Sequence, residues 1–136
     1  MNRSVKNNNP GKLPKGPKLY IGERIVTTDY PNCQFEDIVW GYRAMLSYLV
    51  FIINLNNNTV RKVVTRWEPR SKAENDKVVK FITENTDLKE NEFISADDKI
   101  KLIKIVCAIT HYENDFIPDE RIVLKAYDLL DFKNFL

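Results

Sequence analysis

The sequence is short of the side chains on which most site chemistry is built. One histidine, His111, stands among 136 residues, beside two cysteines, two methionines and four glycines. A lone histidine cannot assemble a histidine-rich metal centre, and no Walker loop, G-x-G-x-x-G run, zinc-ligand spacing or G-x-S-x-G elbow occurs. No metal or organic cofactor is therefore expected. Cys33 and Cys107 do not make a disulfide framework; Cys107, inside the apolar run "KLIKIVCAI", reads as a buried free thiol, and a reducing compartment is the expectation. Long apolar stretches are missing too. Met45 to Leu55 is broken by Ser47, Tyr48 and Asn54, far short of a bilayer span, so membrane insertion is not expected. No apolar segment follows the charged start "MNRSVKNNNPGKLPKG", so no secretory signal is expected either.

Acid is absent from the first 22 residues, which carry Arg3, Lys6, Lys12, Lys15 and Lys18 in a chain of net charge +2. Such a segment suits an anionic polymer, nucleic acid or cell-wall glycan, or is simply solvated. No aromatic residue precedes Tyr20, so the stacking half of a nucleic-acid signature is missing and that partner is disfavoured. Residues 1–18 hold three of the six prolines, two of the four glycines and three consecutive asparagines. They read as an extended basic arm, 1–18, laid over a single domain, 19–136.

That domain reads as mainly α with a small β element, an α+β chain. "KLYIGERIVTTDY" suggests a hairpin about Gly22-Glu23, with "NCQF" as a third short strand. From Phe35 the apolar period becomes helical, through Ile38, Tyr42, Met45, Leu49 and Ile53 to about Leu55. Thr59 caps a short helix that Pro69 ends, and Ser71 with Glu74 has capping-box spacing for the next, to about Glu84. Ser95 with Asp98 repeats that spacing before the most apolar helix, which runs to about Tyr112 and is expected to be central. Pro118, Asp119 and Glu120 open the last helix.

With so little else available, hydrolytic chemistry would have to run on carboxylates. Glu113 ends the most apolar helix between Tyr112 and Phe116, where the helix dipole and partial burial both raise a carboxyl pKa toward the range of a general acid. It also reads as an exposed residue of a helix-ending turn with Asn114 and Asp115. Glu23 and Asp29 lie on the expected hairpin, which could carry a second carboxylate across a groove. Glu74 and Asp98 are explained as caps, and Trp67 as core or sugar platform.

Five blocks together resemble a family of small phage and prophage virion-associated proteins of lysozyme-like, muramidase type. "NNNPGKL" resembles that family's Asn-Asn-Pro-Gly-Asn-Ile/Leu opening and "GYRAMLSYL" its Gly-Ile-Arg-Ala-Met helix. "TVRKVVTRWEP" is similar to its Thr-Val-x-x-Ile-Ile-x-Arg-Trp-Ala-Pro, "ENDKVVKFI" to its Glu-Asn-Asp-Thr-x-x-Tyr-Ile, and "HYEN" to its Arg-His-Glu-Asn-Gly. The resemblance implies a lysozyme-like fold, in an order that a circular permutation would give, and cleavage of the peptidoglycan glycan strand as a muramidase or lytic transglycosylase. Glu113 is the matched acid, with Glu23 or Asp29 to position water or stabilise the cationic sugar. Asn7, Asn8, Asn9 and Arg43, with Tyr112 and Asn114 beside the acid, would bind substrate. A non-catalytic virion or wall-binding role, docking on other virion proteins, stays open, and the implied location is the virion or the host cytoplasm before release. Asp115 stands where the family has Gly, an exchange expected to alter the turn that presents Glu113.

Overall fold

The computed structural model describes residues 3–130, and six helices account for 53% of them. α1 (Arg3–Lys6) is a single turn. Asp37, in extended backbone, accepts from the Val39 N–H at 3.1 Å and opens α2 (Ile38–Asn54). Asn56 at φ 70° and Asn57, whose amide donates to the Ile52 carbonyl at 3.1 Å, close it. Thr59 caps α3 (Val60–Trp67) by accepting from the Lys62 N–H at 3.2 Å. Ser71 opens α4 (Lys72–Asn85), accepting from the Glu74 N–H at 3.2 Å while its hydroxyl donates to the Glu74 carboxylate at 3.1 Å.

α5 (Lys99–Asn114) starts later than the Ser95 spacing predicts. The Ser95 hydroxyl is taken by the Asp97 carboxylate, and Asp98 is the cap, accepting from the Lys101 N–H at 3.2 Å. α6 (Glu120–Asp128) is capped by Asp119, so Pro118 precedes the cap. Among the described residues no helix is long and apolar enough to cross a membrane.

The most buried helix is α2, not α5. Eleven of α2's 17 residues are buried against eight of α5's 16. Arg43 is the only charged residue in α2, whereas Lys99, Lys101 and Lys104 reserve one side of α5 for solvent. α2 packs on α3, α5 and α6, and α5 on α2, α4 and α6. Met45, Leu46, Leu49, Leu102, Ile105 and Val106 meet between them, each 1% exposed or less and each contributing roughly 1.5–3 kcal/mol by burial.

No hairpin forms in the segment expected to hold one. Residues 13–36 run as loops joined by single antiparallel bridges, Pro14 to Asn32 and Glu23 to Phe35. A hairpin needs one buried face, but Ile21, Ile25 and Val26 are 57%, 77% and 78% exposed, and Pro14, Pro17 and Pro31 remove ladder donors. Within the segment read as an arm, Leu13 is 2% exposed and belongs to the same core cluster as the α2 side chains.

Candidate active site

The three asparagines hold the chain to itself. The Asn7 amide donates to Asp29 at 2.8 Å and its carbonyl accepts from the Gln34 amide at 2.9 Å. Asn8, at φ 52° in the left-handed region that asparagine tolerates, donates to the Phe35 carbonyl at 3.0 Å. Asn9 is 1% exposed; its amide donates to the carbonyls of Leu13 (3.0 Å) and Cys33 (3.1 Å) and its oxygen accepts from the Leu13 N–H (3.0 Å). Asn9→Ala takes from the buried Leu13 N–H and Cys33 carbonyl the partner Asn9 gives them, while the Leu13 carbonyl keeps the Cys33 N–H, and an equilibrium denaturation should show a loss of about 2 kcal/mol.

The other side of this turn rests on three helices. Gly41 of α2 lies directly against it, the Trp67 indole N–H donates to the Gly11 carbonyl at 3.3 Å, and the Asn114 amide donates to the Pro10 carbonyl at 2.9 Å. Trp67 is 7% exposed and belongs to the core. Asp115 itself takes the left-handed backbone a glycine would supply, φ 57° and ψ 35°, and its N–H caps the His111 carbonyl. The turn that presents Glu113 is therefore formed despite the exchange.

Glu113, in the last turn of α5, meets two cations: Lys12 Nζ lies 3.2 Å from Oε2 and Arg70 Nη2 lies 3.6 Å from Oε1. The same Arg70 nitrogen is 3.5 Å from Glu68 Oε2, so one guanidinium joins two carboxylates. The side chains of Glu113 and Arg70 are 11% and 8% exposed, that of Glu68 45%. Arg70 Nε and Nη1 are buried with no hydrogen-bond partner. Partial burial and then the negative charge of Glu113 push the Glu68 carboxyl above the usual carboxylate range, against the pull of Arg70 and Lys12. Beside the cluster opens a polar pocket of about 380 Å³ whose walls include Arg3, Asn7, Asn9, Lys12, Asn32 and Glu68.

The fold thus sets Asn7 and Asn9 in one pocket wall with Lys12, which pairs with Glu113, while Asn114 holds the Pro10 carbonyl. Of the other sequence-predicted residues, Asp29 meets the pocket wall through Asn7 and Arg3, and the rest are engaged elsewhere. Glu23 is 1% exposed at its side chain, ion-paired to Lys15 at 2.6 Å and accepting from the Tyr20 N–H at 2.9 Å. Asp29 accepts from Asn7 and lies 3.0 Å from Arg3; the Asn7 hydrogen bond, ahead of the Arg3 charge, holds its carboxyl below the usual range. Arg43 donates through Nε to the Leu129 carbonyl at 3.1 Å, on the wall of a different groove. The Tyr112 ring lies against Phe81, centroids 5.4 Å apart. Burial pushes the Cys33 thiol up to about 12 and the Cys107 thiol up to about 11, which leaves both as inert thiols at neutral pH.

Glu68 and Arg70 were not legible as site residues, although "RWEPR" carries a signal: Glu68 stands where the resembled family has Ala, with Arg70 just beyond the helix-ending Pro69. Among the described residues no group of three His, Cys, Asp or Glu side chains could hold a metal ion. No protein-family model matches the chain, and no curated protein matches it in sequence.

Proposed function

We propose that the protein cleaves the glycan strand of peptidoglycan by carboxylate acid catalysis, as a phage- or prophage-derived, lysozyme-like virion protein. The observation that supports this most directly is the pair Glu68 and Glu113 on one Arg70 nitrogen beside a polar pocket. Glycoside cleavage needs one carboxyl that gives up a proton and one anion that stabilises positive charge on the sugar. Two carboxyls in unequal surroundings, one enclosed between cations and one in the pocket wall, set one of them apart as the proton donor, and cleavage to an anhydro-sugar needs no second acid. The pocket suits the hydroxyl and N-acetyl groups of a glycan, with Asn7 and Asn9 shaping its wall. The test is incubation of the purified protein with purified peptidoglycan. Falling turbidity with release of soluble muropeptides is expected, and their masses tell a hydrolytic from an anhydro product. A suspension left intact, with no new ends, overturns the reading.

A specific observation favours a second reading, in which the protein is a non-catalytic wall-binding or virion component. A groove of about 840 Å³ runs between the N-terminal loop, α2 and α3, with Leu19, Tyr20, Tyr48 and Phe51 on its walls and Lys18 and Arg66 among them. On that reading the protein co-sediments with peptidoglycan and releases nothing from it.

A further inference from the structure

We infer that Glu68, rather than Glu113, is the carboxyl that hands its proton to the leaving oxygen, with Glu113 as the positioning residue behind it. The inference rests on the glycan-cleaving reading above. Access separates the two acids. Both Glu113 oxygens are covered, Oε2 by Lys12 and Oε1 by Arg70, and Glu113 does not line the pocket. Glu68 lines it and keeps 45% of its side-chain surface open, so a sugar in the pocket meets Glu68 first.

Arg70 fixes the arrangement. A guanidinium 92% buried, with two nitrogens lacking hydrogen-bond partners, is held where it is by the acids on its third nitrogen. The charged groups around Glu68 are Arg70, Glu113 and Lys12, with Arg3 farther along the pocket wall. Partial burial, and after it the negative charge of Glu113, keep the Glu68 proton in place to higher pH.

The step balances without any other protein group. The bond between the anomeric carbon and the bridging oxygen breaks, its electron pair staying on that oxygen, which takes the Glu68 proton. Water, or the sugar's own 6-hydroxyl, then bonds to the anomeric carbon and gives its proton to the Glu68 carboxylate, restoring the acid. The first route yields a reducing end and the second an anhydro-sugar.

Glu68→Gln should therefore lose at least about a hundredfold in peptidoglycan turnover. It should recover much of that loss on a nitrophenyl glycoside of an N-acetylglucosamine oligomer, whose phenolate leaves without a proton. Glu113→Gln should show no such selective recovery. The active form of Glu68 is the protonated one, so activity falls as pH rises through its pKa. Removing the neighbouring anion lets that proton go earlier, and the alkaline limb of the Glu113→Gln profile should move to lower pH. Wild-type cleavage with an equally active Glu68→Gln, or nitrophenyl rescue of Glu113→Gln instead, overturns the assignment and leaves the glycan-cleaving reading standing. A wild type that cleaves neither substrate overturns both.

Discussion

Glu113→Ala should unfold at a much lower denaturant concentration than wild type, losing about 3–5 kcal/mol, whether or not the protein is an enzyme. Removing this carboxylate leaves Arg70, 8% exposed, with two unpartnered nitrogens and only the half-open Glu68 for a counter-ion. It also frees Lys12 from the end of α5. Stability of a domain this size is typically about 5–15 kcal/mol, so about a fifth of it or more is at stake. Two comparisons separate this cause from a general loss of charge. Glu84→Ala breaks a pair that is 78% and 58% exposed, and should change stability by no more than about 0.5 kcal/mol. Replacing Arg70 and Glu113 together by Met and Leu should recover much of the loss, because no uncompensated charge is left inside. A Glu113→Ala protein with the wild-type midpoint would show that the buried pair holds nothing together.

The helices were readable because what starts and stops them is local. Thr59, Ser71 and Asp37 each cap a helix through an N–H two or three residues on, so the chain states the boundary within one turn. Ser95 misled because the same kind of local bond had a closer partner in Asp97. The hairpin misled for a different reason. Apolar pairs at Ile21 and at Ile25-Val26 look like strand, but only the finished fold decides whether a face is covered, and here it is not. The acid site is the least local part. Asn114 reaches Pro10 across 104 residues, and Lys12 reaches Glu113 from a loop, so no window of sequence displays the cluster. "NNNPG", "GYRAM", "RWEP" and "HYEN" meet in space, through Gly41 against Asn8, Trp67 on Gly11 and Asn114 on Pro10.

Gly41 is the tightest point of that joint, and Gly41→Ala should be the most damaging single methyl in the protein. A β-carbon there would stand 2.0 Å from the Asn8 carbonyl oxygen and 2.8 Å from the Pro10 ring. Neither is the free end of a flexible side chain, so the turn itself must lift away from α2. Overpacking of this kind costs about 3 kcal/mol, and here the displaced turn also carries the Asn9 bonds, the Asn114 contact and Lys12. The damage should therefore have a location as well as a size. Hydrogen exchange should quicken first at the Leu13 N–H, bonded to Asn9, and at the Cys33 N–H, bonded to the Leu13 carbonyl at 3.0 Å, before it quickens in α4. Gly16→Ala is the control, since a β-carbon at Gly16 meets nothing within 4 Å. If Gly41→Ala melts with Gly16→Ala and protects those two amides equally well, the asparagine turn does not depend on its seat against α2. If it melts early and exchanges there first, the turn and the carboxylate site share one support, because the chain that leaves Pro10 is the chain that delivers Lys12 to Glu113.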